Sequence, residues 1–327
     1  MKSYCIWWDG YHNAFTDIAR FKDNFFVTFR HGTKHPAEGR GQIYVIKSKD
    51  TKRWELIKKF PALPDSRDPK LFVFKNKLGV VFFAISDHPE FFRHWVHSYI
   101  SYSEDGVNFS DPIRIENYNL RFWRIRNYRD VVYAATCKSM PEEMGTFLFR
   151  SEDGIKFDYV STIVKDDHAN EADLLFEDET CYALVRREDC KTPVIAVSKY
   201  PFEKWVRYTT NVILRGPHIF KYKGKIYCTG RVFLRPDGKL HSYIKNETEY
   251  QPKTAILELD KKNMILKPVL ILPSGGDTSY CGSIIYQGKI YLSYYSQHEI
   301  KKRKSYVGEH ASGIYLATGK SIKKEIQ

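Results

Sequence analysis

Apolar and polar positions alternate along this chain in short runs separated by polar turns, the period of two expected of strands with one buried face. From Asp17 a strand pair reads DIARF, turn KDN, FFVTFR. The same design recurs as KLFVF/KNK/LGVVFFA from Lys70 and RFWRI/RNYRD/VVYAATC from Arg121. A fourth hairpin runs from Ala172 to Phe176, turns at Glu177, Asp178 and Glu179, and returns from Cys181 to Val185. Two more read HIFKY/KGK/IYCTGR from His218 and SIIY/QGK/IYLSYYS from Ser283. The six starts lie 53, 51, 51, 46 and 65 residues apart, a spacing in the range of propeller blades.

A second pattern keeps the same beat. A strand is followed by Ser, by Asp two residues on, and by an aromatic: Ser48, Asp50 and Trp54; Ser103, Asp105 and Phe109; Ser151, Asp153 and Phe157. A fourth copy keeps Ser198 and Trp205 without the aspartate. These residues suit a turn in which Ser and Asp bond local amides while the aromatic packs beneath the blade. Four strands in each of six repeats predict an all-β, six-bladed β-propeller. Its blades are expected at 12–62, 63–115, 116–165, 166–214, 215–272 and 273–319, with Ser3 to Trp8 as a closing strand beside the last. Residues 1–327 then form a single domain, with no Gly-, Pro- or Ser-rich linker.

Composition supports a sizeable core: the 327 residues are 43% hydrophobic and 15% aromatic. No apolar run reaches a membrane span, and MKSYCIWWDGYHNAF lacks the long apolar stretch of a signal peptide, so the default location is cytoplasmic, with a mature secreted or periplasmic form the alternative. Cysteines 5, 137, 181, 190, 228 and 281 show no CxxC spacing and read as buried thiols, with no metal or other cofactor implied. The charge of +13 invites a nucleic-acid reading, but the lysines are scattered over turns and termini, so no nucleic-acid partner is expected. Oligomeric state is not legible.

In a propeller, residues just before the innermost strand and just after the second share one face near the axis. The first set holds His12, Asn13, Asp17, Arg67, Asp68, Trp123, Arg124, Asn170, Glu171, Asp173, Pro217, His218, Asp277 and Tyr280. The second holds Arg30, His31, His35, Arg186, Arg187, Arg231, Gln297, His298 and Glu299. Each alone has a structural explanation as a strand cap or turn residue. Together they predict a mouth of carboxylates, arginines and aromatics suited to an oligosaccharide or glycoconjugate bearing an acidic sugar. Glu171 and Arg186 end one hairpin, and Tyr280 leads into a blade two further round the ring. The three should meet, with the Tyr280 hydroxyl about 2.6 to 3.2 Å from Glu171.

The serine-aspartate turn resembles the Asp-box of the sialidase (BNR-repeat) superfamily in a shortened S-x-D-G-x-x-[FW] form. The run HNAFTD…FRHGTKH…SRDPKLF…FWR…NEADLLF…GPHIF…SGGDTSYCG…SYYSQHE resembles bacterial sialidase-like proteins labelled exo-alpha-sialidase, over almost the whole chain. The resemblance implies a retaining glycosidase in which Tyr280 attacks the anomeric carbon, Glu171 takes its proton, and Arg30, Arg186 and Arg231 form an arginine triad, with Arg67 a fourth candidate. Two features depart from the family: HNAFTD has no arginine where a Y/F-R-I-P motif is expected, and GTKHPAEGRG lacks the acid/base aspartate, leaving His35 or Glu38. Asp17, Trp123 and His298 complete the expected binding residues.

Two alternatives share this mouth. One is a propeller glycosidase in which Asp68, Glu171 and Asp277 act on a neutral sugar and Tyr280 only binds. The other is a glycan-binding propeller without catalysis, which needs the arginines and aromatics but not Glu171 beside Tyr280.

Overall fold

The computed structural model describes residues 1–35, 40–63, 65–87, 94–115, 119–138, 144–165, 168–188, 192–242 and 250–322. Among these residues, twenty-four strands form six four-stranded antiparallel sheets, the six-bladed β-propeller expected. Blade one is β2 (His12–Phe21), β3 (Asn24–Gly32), β4 (Gly41–Ser48) and β5 (Glu55–Phe60). Blade two runs from β6 (Asp65–Phe74) through β7 (Lys77–Asp87) and β8 (His94–Ser103) to β9 (Ile113–Arg114). Blade three is β10 (Leu120–Tyr128), β11 (Val131–Lys138), β12 (Gly145–Ser151) and β13 (Asp158–Val164). Blade four is β14 (Ala169–Glu177), β15 (Thr180–Arg187), β16 (Val194–Lys199) and β17 (Val206–Thr209). Blade five is β18 (Arg215–Tyr222), β19 (Lys225–Leu234), β20 (Gln251–Asp260) and β21 (Ile265–Ile271). Blade six is β22 (Thr278–Tyr286), β23 (Lys289–Ser296) and β24 (Gly313–Gly319), and β1 (Lys2–Trp7) completes it by pairing with β24.

Apolar residues alternate inward on both faces of each sheet, so neighbouring blades interlock. Leu174, Val185 and Val194 of blade four pack with Tyr133, Leu148 and Ile163 of blade three, all buried. Each such side chain contributes roughly 1.5 to 3 kcal/mol of burial free energy. The serine-aspartate turns form as their residues require: Asp105 Oδ1 accepts from the amides of Val107 and Asn108 at 2.8 Å, and Ser103 Oγ accepts from Gly106. Asp50 and Asp153 repeat this pattern. Of the cysteines, 137, 181, 228 and 281 are buried free thiols, Cys5 is half-buried, and Cys190 lies outside the described residues. Among the described residues no helix is long and apolar enough to cross a membrane.

One irregularity, unforeseen in the sequence, recurs in every innermost strand. The register slips between Ala14 and Asp17, Arg67 and Lys70, Phe122 and Arg124, Ala169 and Ala172, Arg215 and His218, and Ser279 and Gly282. In five blades two residues face one on the partner strand; in blade three Trp123 alone is extra. Such β-bulges bend a strand and re-aim its side chains. Their left-handed residues include Phe15 (φ 60°), Asp68 (φ 49°), Gly216 (φ 62°) and Tyr280 (φ 50°). Bulged residues thus turn toward the mouth, and the residues that follow fill the axis below.

Candidate functional site

The bulges open onto a cavity of about 590 Å³ on the face the sequence singled out. Phe15, Asp68, Trp123, Asn170, Glu171 and Tyr280, all bulge residues, line it together with His35, Arg67, Arg186, Arg231 and Asp277. At its centre the Tyr280 hydroxyl donates to Glu171 Oε1 at 2.8 Å. Arg186 Nη1 donates to both, 2.7 Å to Glu171 Oε1 and 3.1 Å to the tyrosine oxygen. The other Glu171 oxygen accepts from the Gly216 amide at 3.1 Å. These three distant residues meet as the hairpin geometry requires, because Arg186 stands opposite the Asn170-Glu171 bulge. Burial pushes the Tyr280 hydroxyl well above its ordinary range and the Glu171 charge adds to this, while Arg186 and Arg231 pull it down. The ring is wedged edge-on against Phe15 at 4.7 Å, and a Cβ at Gly216 would lie 2.7 Å from it.

A second group stands on the blade-six side. Asp277 Oδ1 accepts from Arg231 Nη2 and from the Tyr295 hydroxyl, each at 2.6 Å, and His12 Nε2 lies 3.1 Å from its Oδ2. Burial alone would raise this carboxyl, but Arg231 and then His12 outweigh it and hold it below the usual carboxylate range. His35 lies near, 6.1 Å from the His12 ring, and burial lowers its affinity for protons despite Asp277. Asp68 is the opposite case. Burial pushes its carboxyl up to about 6, Lys70 opposes this, and its Oδ1 has no hydrogen-bond partner.

Three expected binding residues are not in the cavity wall. Asp17 is 1% exposed and lies on the axis beneath, accepting from Arg124 Nη1 and the Leu71 amide, each at 3.0 Å. It follows the blade-one bulge and so faces the channel interior. Arg30 is fully buried: it donates to Asp65 at 3.2 Å and to the Lys34 carbonyl at 2.8 Å, with Gly32 and Gly41 packed on its guanidinium. It has the register of Arg231, and each reaches an aspartate three residues before the next blade's bulge, Asp65 or Asp277. In blade one that pair is sealed over. Of the three arginines of the expected triad, Arg186 and Arg231 line the cavity and Arg30 does not. His298 sits outside, its ring 4.6 Å from Tyr315 and its Nδ1 2.9 Å from Ser296 Oγ. Glu38 lies outside the described residues.

The cavity also holds residues the sequence reading passed over: Arg121, Arg215, Glu188, Phe83 and Phe233. Glu188 bonds Arg186 at 2.5 Å and Asn170 at 3.0 Å. Arg121 and Arg215 each lie two or fewer residues ahead of a bulge, at the position of Arg67 in blade two or next to it; that recurrence was the available signal.

Below the mouth the axis is filled with charge. Arg124 links Asp17 to the Cys281 carbonyl and lies 3.5 Å from Asp173, which receives Arg126 in bidentate fashion at 2.8 and 2.9 Å. His218 lies 2.7 Å from Asp173 and 2.7 Å from Ser283 Oγ. Burial pulls His218 down to about 4, though Asp173 opposes this, and Lys70, also buried, down to about 8.

No family profile matches the sequence, and a search of curated proteins finds no match. Solved structures do match. The Trypanosoma rangeli sialidase in complex with 2,3-difluorosialic acid superposes with a TM-score of 0.65 at 11% identity, covering 93% of this chain and 54% of that one. A GH32 beta-fructofuranosidase of Bombyx mori gives 0.52 at 15% identity, covering 94% and 61%, so this chain spans less than two thirds of either protein. A GH43_1 enzyme from Xanthomonas citri complexed with xylotriose gives 0.57 at 11% identity, covering 97% and 89%. At such identities the likeness is one of fold, a propeller shared with glycoside hydrolases of three kinds.

Proposed function

We propose that this propeller is a glycoside hydrolase of sialidase-like type, exo-acting on a terminal acidic sugar with retention. The observation that carries the reading is the Tyr280, Glu171 and Arg186 triangle, with oxygen to oxygen at 2.8 Å and the guanidinium on both. A phenol held so far above its ordinary range is a neutral nucleophile until attack begins. As its oxygen bonds the anomeric carbon, its proton passes to Glu171 Oε1, and Arg186 steadies the charge the carboxylate gives up and the phenol briefly gains. A neutral nucleophile avoids repulsion by a carboxylate at the anomeric centre, which is why an acidic sugar suits this pair. The broken glycosidic bond leaves its electron pair on the leaving oxygen, which needs a proton. Asp68 supports that role, since a carboxyl raised to about 6 keeps its proton in mildly acidic solution. Water then attacks the glycosyl-tyrosine, giving its proton to Asp68 and releasing the sugar, while Glu171 returns the proton to Tyr280.

A second reading rests on a different observation: Asp68, Glu171 and Asp277 line one cavity, as a carboxylate glycosidase of a neutral sugar would require. The GH32 and GH43 likenesses are equally compatible with it. Tyr280→Phe separates the two on a panel of aryl glycosides of sialic, other keto-acid, uronic and neutral sugars. The tyrosine scheme expects a fall of at least about a thousandfold in kcat on an acidic glycoside. Retention of more than a tenth of wild-type kcat would leave the tyrosine as a binding residue. No turnover by the wild type on any member would point to a glycan-binding protein.

A further inference from the structure

The cavity wall holds two unsatisfied polar atoms on its blade-two and blade-three side. Asp68 Oδ1 and Arg121 Nε are both shielded from solvent, and neither has a hydrogen-bond partner among the described residues. Arg186 Nε is also unpartnered, but that side chain is engaged by Glu171, Tyr280 and Glu188. Arg231 is held by Asp277, Tyr295 and the Thr278 carbonyl, and Arg67 by Asp65 at 2.6 Å. Arg121 differs from these: its guanidinium carbon stands over the Phe83 ring at 5.2 Å, and it makes no hydrogen bond or ion pair with another described residue.

A buried N–H without an acceptor is costly, and a ligand oxygen that accepts from it recovers that cost. Arg121 and Phe83 both line the cavity, and a guanidinium whose fork is not already engaged can take a carboxylate by two parallel hydrogen bonds. Resting on the acidic-sugar reading above, we infer that Arg121, rather than the arginines already engaged, seats the substrate's carboxylate, and that seating it protonates Asp68. The coupling is possible because Arg121 and Asp68 line the same cavity. Burial and the Glu171 charge push the Asp68 carboxyl up, while Lys70, Arg67 and, least of these, Arg121 draw it toward ionisation; an anion paired with Arg121 cancels the last of these pulls and adds a repulsion of its own. The substrate thereby loads the acid that it needs.

Titration calorimetry with glucuronate and N-acetylneuraminate as acidic probes and glucose as the neutral one tests this at pH 7. Runs in phosphate and in Tris measure proton uptake. The wild type should bind at least one acidic sugar more tightly than glucose and take up a proton as it does so. Arg121→Gln should weaken that sugar at least tenfold and leave glucose unchanged, while Arg121→Lys, which keeps the charge but not the fork, falls between. Asp68→Asn should bind the acidic sugar without proton uptake. Acidic-sugar affinity within twofold of wild type in Arg121→Gln, absent proton uptake, or a wild type that binds neither acidic sugar better than glucose overturns the inference. Hydrolysis that needs Tyr280 but ignores Arg121 defeats this inference alone, whereas binding at Arg121 without hydrolysis defeats only the catalytic reading.

Discussion

Replacing Asp68 by asparagine preserves shape and deletes one charge, so its effect on folding can be followed against pH. Burial lifts this carboxyl from 3.8 to about 6, which corresponds to about 3 kcal/mol at roughly 1.36 kcal/mol per pH unit. A raised carboxyl favours its protonated form in the fold. Its contribution is therefore complete below pH 3.8 and is lost as pH climbs through about 6. The wild type at pH 7.5 carries a buried, poorly satisfied carboxylate that the variant does not. His218 works the other way, because burial pulls it from 6.5 to about 4 and stability is lost as pH falls between those values. The wild-type profile mixes the two, and only the difference between variant and wild type isolates Asp68. Urea unfolding at pH 4 and 7.5 should show the variant gaining about 2 kcal/mol relative to wild type between the lower and the higher pH, since the unfolded carboxyl is already partly ionised at pH 4. Any constant offset from the amide cancels in that comparison. A difference that moves by less than about 0.5 kcal/mol would refute the assignment of a raised, buried carboxyl.

Gly216 has φ 62° and a notional Cβ 2.7 Å from the Tyr280 ring, so Gly216→Ala should cost about 1 to 3 kcal/mol and displace the tyrosine. Thermal unfolding and kcat on the best aryl glycoside should fall together. Arg124→Met removes the cation between Asp17 and Asp173 and should destabilise by about 3 to 5 kcal/mol in urea unfolding. Adding Asp17→Asn to it should recover part of that loss, since one stranded charge is then gone.

The blades were legible because alternation and turn chemistry are local, and residues 12–62 or 215–272 contain whole sheets. The meeting of Glu171, Arg186 and Tyr280 was legible for a related reason: hairpin ends adjoin and inner strands converge. What escaped was the bulge. Nothing in the composition of AFTD or GPHI announces two residues facing one, and reading the strands as starting at Asp17 and His218 puts both in the mouth. Counted through the bulge, they fall on the axis. Arg30 failed differently, since its register matches Arg231 and only the packing of Gly32, Gly41 and Asp65 decides that it is covered.

Among the described residues, the buried ion network of Asp17, Arg124 and Asp173 packs along the axis beneath Tyr280. A through-going tunnel could feed a polymer past Tyr280; side chains as buried as Asp17, Arg124 and Asp173 leave no room for one where they pack. Whatever enters must leave by the route it came. Under the two-step scheme the departing aglycone occupies the path that the incoming water needs, so release must be ordered, aglycone before water and water before sugar. If the proposed exo-hydrolysis holds, each visit removes one terminal sugar.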